Sequence, residues 1–206
     1  MKNVQIFKLH IWIHWHNFFT YSSKIISMVT NLVETVQKNL GYQPLKKVDP
    51  NTQEIADSKK MSPEEKLQQA AIPAVLAAMI KYSDGKDGIN ILTNNENKDW
   101  LGTIYGGKEK DAIKKVSEYA GVGQDEAEGH MENISDEAEK IIKDNVKDPD
   151  AEKLRSFMNS QRHSVLSHLP AALNMGDILN EGTFDDRTNK MEGPVSGFLH
   201  RIENII

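Results

Sequence analysis

The run of nonpolar residues from 70 to 80 constrains the fold of this chain more than any other feature. Every residue in it is apolar or proline, so a helix formed there has no polar face to turn toward water. The run is also shorter than the roughly 20 residues that a membrane-spanning helix needs. We therefore expect it to be the core helix of a bundle, with Pro73 kinking it or splitting it at Ile72.

The start and the end of this helix carry recognisable signals. Ser62 is a helix N-cap residue, Pro63 suits the first helical position, and Glu65 completes a capping box with Ser62. Asp84-Gly85 is expected to end the helix.

After Met28 the remaining pattern is also helical, with no alternation typical of strands. Residues 44–61 are polar and predict a linker or a long irregular excursion. The other predicted helices are one ending before Gly41, short ones at Ile89–Leu92 and Trp100–Tyr105, one closed by Gly121, a long one after Gly123, one from Asp148-Pro149 toward Pro170, and one from Gly193 to Ile206. Gly176 is expected to end the turn after Pro170. The predicted fold class is all-α, a multihelical bundle around a buried, Pro-kinked central helix.

The first 27 residues differ from the rest in composition. They hold six of the fourteen aromatic residues and three of the seven His, and they lack Asp, Glu, Gly, Ala and Pro. We expect residues 1–27 to be a non-core extension and residues 28–206 a single helical domain. Whether 148–206 packs on the bundle or forms a C-terminal helical subdomain is left open.

Two interpretations of this extension stay open. A signal peptide is disfavoured because His10, His14 and His16 interrupt its apolar part, and a membrane-spanning helix lacks the apolar length. An interfacial helix of a peripheral membrane protein would suit aromatic residues with a few Lys and no acids. Alternatively, the segment is translated AT-rich upstream sequence and Met28 is the true start.

Charge and cysteine content limit the function classes. The extension carries +3, which leaves −8 on the domain, so binding to nucleic acid phosphates is not expected. The lack of cysteine excludes disulfides and thiolate chemistry, and it fits a reducing, cytoplasmic setting.

The predicted long helix is acidic in its first half. An acidic patch raises the question of a cation site, but acids near a helix N-terminus also complement the helix dipole, and we favour the dipole. The seven acids are Asp125, Glu126, Glu128, Glu132, Asp136, Glu137 and Glu139.

Catalytic motifs are lacking. Ser196 in Gly193–Gly197 is one position off a nucleophile elbow and follows no strand. His163 and His168 are five apart, so they lie about 140° apart around a helix and do not share one metal ion. His168 is expected to cap the helix near Pro170, and His163 to face solvent. We expect no cofactor, no metal and no enzyme activity.

Two candidate sites remain. The loop residues Asp185, Asp186, Arg187 and Thr188 form a candidate recognition surface, although an internal Asp–Arg pair is the simpler role. Near the glycine-rich loop 84–107, Trp100, Tyr105 and His168 are the candidate lining of an inter-helix pocket.

Several motifs together resemble a known family. They are Leu40-Gly41, the run 71–78, the loop 84–94, Leu101-Gly102 with Ile104–Gly107, and Val116–Gly121 before the long helix. In this order they resemble the YidB-like bacterial family over roughly residues 28–147. The resemblance implies a multihelical bundle around a buried helix. It implies no activity and no catalytic residues.

Three functions are consistent with these observations. The first is a bacterial cytoplasmic, non-catalytic interaction module with a protein partner. The second is a small-ligand-binding protein or enzyme with a pocket near loop 84–107. The third is a peripheral membrane protein anchored by residues 1–27.

Overall fold

The computed structural model describes residues 30–93 and 99–184, and in these ranges the chain is all-α, as predicted. Apart from one isolated β-bridge, between Val48 and Ile55, the described residues form no strand. Their α-helices are α1 Leu32–Asn39, α2 Pro63–Asp84, α3 Asn90–Thr93, α4 Trp100–Tyr105, α5 Glu109–Ala120, α6 Gln124–Asn145, α7 Ala151–Leu166 and α8 Met175–Leu179. Three 3₁₀ turns lie at Ser58–Lys60, Ala171–Leu173 and Gly182–Phe184. All of these helices belong to one compact unit that begins at Leu32.

Helix α2 is the centre of the bundle and is buried over its whole nonpolar run. Residues 70–80 are all buried, and α2 packs against α1, α4, α5, α6, α7 and α8. The predicted capping box is confirmed: the Glu65 N–H donates to Ser62 Oγ at 3.1 Å, and the Ser62 N–H donates to Glu65 Oε2 at 2.7 Å. The helix ends at Asp84, also as predicted.

Of the two outcomes predicted at Pro73, a kink or a split at Ile72, the split is wrong and the kink stays a prediction. The helix continues through Pro73, which lacks the N–H that would donate to the carbonyl of Gln69. Pro73 is buried among its neighbours. Tertiary packing therefore holds the helix together through a residue that breaks isolated helices.

The outer helices follow the predicted pattern with shifts at their ends. The prediction of a helix after Asp148-Pro149 is confirmed, although α7 starts at Ala151, after the N-cap Asp150. Gly176 does not end a turn, because it lies inside α8. The helix predicted at 193–206 lies outside the described residues, as does the extension 1–27.

Residues 43–61 form an irregular excursion that is bonded to the bundle. Gln69 of α2 is 1% exposed, and its amide accepts from the Lys46 N–H at 2.8 Å and donates to the Lys46 carbonyl at 3.0 Å. The same amide donates to the carbonyl of His168 at 2.9 Å. The Val48 N–H donates to the carbonyl of Ser167 at 2.8 Å. One buried side chain thus joins the excursion, α2 and the end of α7.

Candidate functional site

A cleft opens where α2, α4 and α8 end, beside the predicted glycine-rich loop. Its volume is about 360 Å³. The polar and charged groups of its wall include Lys81, Lys86, Asp87, Tyr105, Lys108 and Asn180. The cleft is of a size that takes a small molecule.

Of the three residues predicted to line a pocket here, the cleft contains Tyr105. Trp100 is buried in the bundle, where its indole N–H donates to Glu139 Oε2 at 2.6 Å and its ring meets Tyr82 edge-on at 6.4 Å. Trp100 and His168 are not part of the wall of this cleft. The polar group of Trp100 is already used in a bond within the bundle.

His168 caps the end of α7, as predicted. Its Nδ1 lies 2.7 Å from the carbonyl oxygen of Ser164, in the last turn of that helix. Burial lowers the pKa of the His168 imidazole, an effect that the bond to Ser164 partly offsets. His163 is exposed, also as predicted.

Tyr105 lines the cleft with part of its side chain, while its hydroxyl is buried. The side chain is 4% exposed, and its hydroxyl has no hydrogen-bond partner among the described residues. Burial raises the pKa of the Tyr105 phenol far above its usual range, so the phenol stays protonated. A protonated hydroxyl can donate a hydrogen bond to an acceptor.

The seven acids of α6 between Asp125 and Glu139 fall into three groups. Asp125 and Glu126 lie in the first turn, where they complement the helix dipole as predicted. Glu137 and Glu139 each have partners. Glu137 accepts from Asn39 Nδ2 at 2.6 Å and lies 3.6 Å from Lys140 Nζ. Glu139 is 2.7 Å from Lys143 Nζ and also accepts from the Trp100 indole.

The third group, Glu128, Glu132 and Asp136, is called here the carboxylate row. All three side chains are exposed, and none has a cation within 4 Å in the described part of the chain. The dipole does not account for them, because its effect fades beyond the first turn. The Asp136 side chain is exposed overall, but partial desolvation of its carboxyl, and then the charge of Glu139, raise the pKa of that carboxyl.

The row lies on a helix whose opposite face is fixed in the core. Ala127, Met131, Ile134 and Ala138 are fully buried. The row residues follow each other at four-residue intervals, so they occupy one face of α6. Three like charges are thus held side by side on a rigid support.

Other predicted site residues lie outside the described ranges. This holds for Asp185, Asp186, Arg187 and Thr188. Conversely, the lysines of the cleft were not predicted as a group. The available signal was that Lys81, Lys86 and Lys108 each lie within a few residues of a glycine where a predicted helix ends.

Comparisons of the chain with protein-family models, curated proteins and solved structures found no match. The YidB-like resemblance therefore stays a prediction. None of the helices within 30–93 and 99–184 has the length and apolar character that crossing a membrane requires. In the same ranges, no three His, Cys, Asp or Glu side chains are grouped to hold a metal ion.

Proposed function

We propose that this chain is a non-catalytic interaction module that binds a basic protein partner through the carboxylate row. The observation that carries the proposal is that these three carboxylates are exposed, adjacent and unpaired among the described residues. A partner that presents Lys or Arg would neutralise them, and complementary charge of this kind steers association and selects partners.

The energetics of α6 support this proposal. Like charges four residues apart destabilise a helix by about 0.2–0.5 kcal/mol per pair. The row contains two such pairs, Glu128 with Glu132 and Glu132 with Asp136. A bound cation would reverse that cost. The arrangement is thus mildly unfavourable in the free protein and favourable in a complex.

The surface chemistry also supports a polar contact. No Val, Leu, Ile, Met, Phe, Tyr or Trp within the described ranges is exposed. A partner docking on this part of the molecule would therefore meet polar and charged groups. The domain's charge of −8 disfavours nucleic acid as that partner.

We also propose that the protein is bacterial and works in the cytoplasm. The YidB-like resemblance favours a bacterial protein and brings no particular activity with it, and a chain without cysteine suits a reducing cytoplasm. Both are proposals that rest on the sequence.

Neutralising the carboxylate row tests the proposal, because it should raise the stability of the free protein and abolish the capture of its partner. In the triple variant E128Q/E132Q/D136N we expect the free energy of unfolding to rise by roughly 0.5–1 kcal/mol, because the repulsion is gone. Urea unfolding measures this change. In affinity capture from a lysate of the source cells, we expect the wild type to retain a basic partner that elutes as salt rises, and the variant to lose it.

A control variant separates this effect from net charge. The triple substitution D84N/E118Q/E152Q changes the charge by the same amount at exposed acids on other helices. It should retain the partner. Equal capture by the row variant and the wild type, or equal loss in the control, would contradict the proposal.

A further inference from the structure

We propose that the cleft at the ends of α2, α4 and α8 binds the oxyanion group, phosphate or carboxylate, of a small molecule. This site is separate from the carboxylate row and does not depend on the proposed function.

The charge of the cleft wall distinguishes it from its surroundings. Lys81, Lys86 and Lys108 line the cleft, against a single lining carboxylate, Asp87. A neighbouring depression shares Lys108 and Ile178 with the cleft, and its wall has three lysines opposed by three acids. Only the first of these two walls has an excess of positive charge.

At each of the three helix ends, a backbone N–H already bonds a terminal carbonyl. Carbonyl groups at a helix C-terminus attract cations when they lack partners. Here the carbonyl of Tyr82 accepts from the Gly85 N–H, and that of Thr103 accepts from the Gly106 N–H. The end of α8 is closed in the same way by the N–H of Asn180. The backbone itself therefore satisfies these carbonyls.

The three lysine ammonium groups differ in the partners that they already have. Lys86 is exposed and has no partner in the described part of the chain. Lys108 Nζ donates to Asn180 Oδ1 at 3.1 Å, which is a bond to a neutral group. Lys81 Nζ is held 2.7 Å from Glu181 Oε2. Two cations are thus available to an incoming anion, and the third is fixed in place by a carboxylate.

The lysines supply the donors of the cleft wall. The Tyr105 side chain also lines the cleft, but its hydroxyl is itself buried and is not counted among these donors. Lysine ammoniums suit the oxygens of phosphate or carboxylate. The cleft volume of about 360 Å³ limits the ligand to a small molecule.

The test is an NMR titration of the ¹⁵N-labelled full chain with inorganic phosphate and, separately, with acetate. Sodium chloride at the same ionic strength is the reference. We expect saturable shifts at the backbone amides of Gly85–Asp87 and Gly106–Lys108 with at least one of the two anions. The anion that saturates identifies the group that is bound.

Two variants locate the site. Lys86→Gln and Lys108→Gln each remove one charged donor, so each should raise the dissociation constant about tenfold. Lys147→Gln, at an exposed position outside the cleft, should leave it unchanged. If both anions behave like chloride, or if the Lys86 and Lys108 variants bind as tightly as the wild type, the proposal is wrong.

Discussion

A single buried amide, that of Gln69, does more for the architecture than its residue type suggests. It bonds to both the N–H and the carbonyl of Lys46 and to the carbonyl of His168. Without it, both backbone groups of Lys46 and the buried carbonyl of His168 would lose their partner on α2. Buried polar groups that lose their partner cost more than the bond itself contributes.

We predict that Gln69→Leu destabilises the protein by about 2–4 kcal/mol. Leucine has a similar size, so the loss comes from backbone groups left unsatisfied, each worth about 1–3 kcal/mol. Urea unfolding gives the free energy, and faster hydrogen exchange at the Lys46 amide would report local release of the excursion.

The neighbouring Gln68 is the matched control. It is 5% exposed, and its amide makes longer bonds, 3.4 Å to the Gln43 N–H and 3.3 Å to Glu64. Gln68→Leu should therefore cost clearly less than Gln69→Leu. Equal losses in the two variants would mean that the bonds of Gln69 to Lys46 and His168 are not the cause.

The sequence contained one signal of the bonds that the Gln69 amide makes. Gln68 and Gln69 directly precede the nonpolar run 70–80, on a helix predicted to be buried on every face. Two amides so placed need buried partners. The partners of Gln69 lie 23 and 99 residues away, however, and no local pattern identifies contacts at that separation.

At the scale of elements, the corner between α2 and α3 depends on Gly88. A Cβ atom at this position would lie 2.5 Å from the Ser83 carbonyl oxygen and 2.7 Å from the Ser83 Cα. Both are backbone atoms, which cannot move aside as a flexible side chain could. The chain therefore turns against the last turn of α2 only because residue 88 lacks a side chain.

We predict that Gly88→Ala lowers the free energy of unfolding by about 1–3 kcal/mol, the usual cost of forcing atoms into a packed site. Gly129→Ala is the opposite case. Gly129 lies inside α6, and a Cβ there would meet no atom within 4 Å. Alanine should stabilise that helix by about 0.5–1 kcal/mol. Thermal and urea unfolding of both variants should give changes of opposite sign, and a shared sign would refute the packing argument.

The helices themselves were largely predictable, because their local signals agree with their burial. The capping box of Ser62 and Glu65 marks the start of α2, and Gly121, with φ of +74°, ends α5, as predicted. Local rules were insufficient where packing opposes them. Pro73 and Gly176 are helix breakers by propensity, yet both are buried inside helices.

At the scale of the whole molecule, the candidate sites were less predictable than the fold. The cleft combines residues from three separate segments of the chain, which lie within 81–87, 103–108 and 178–180, although not every residue of these segments lines it. Sequence patterns indicated a pocket near loop 84–107, but they favoured conspicuous aromatic and His residues over lysines. Trp100 and His168 are both buried, and their side chains bond within the bundle: the Trp100 indole to Glu139 and the His168 imidazole to the Ser164 carbonyl.

One ion pair links distant parts of the described unit and should make stability depend on pH. Glu181 lies 100 residues from Lys81, whose ammonium, together with the Thr183 hydroxyl, lowers the pKa of the Glu181 carboxyl to about 2. The folded state therefore holds this carboxylate deprotonated more strongly than the unfolded chain does. Its contribution is complete above about pH 4.5 and is lost as pH falls toward about 2.

We predict that Glu181→Gln reduces the loss of stability between these two pH values, by about 1 kcal/mol at most. The limit is low because the two side chains are 38% and 24% exposed, so water screens the pair. Urea unfolding of wild type and variant at the two ends of the window measures the difference.

Asp148→Asn is the matched control, since hydrogen bonding to Lys153 also lowers the pKa of the Asp148 carboxyl. That pair, however, is exposed and joins residues only five apart, so it forms almost as readily in the unfolded chain. If Asp148→Asn flattened the pH dependence as much as Glu181→Gln, the long-range link would not be its source.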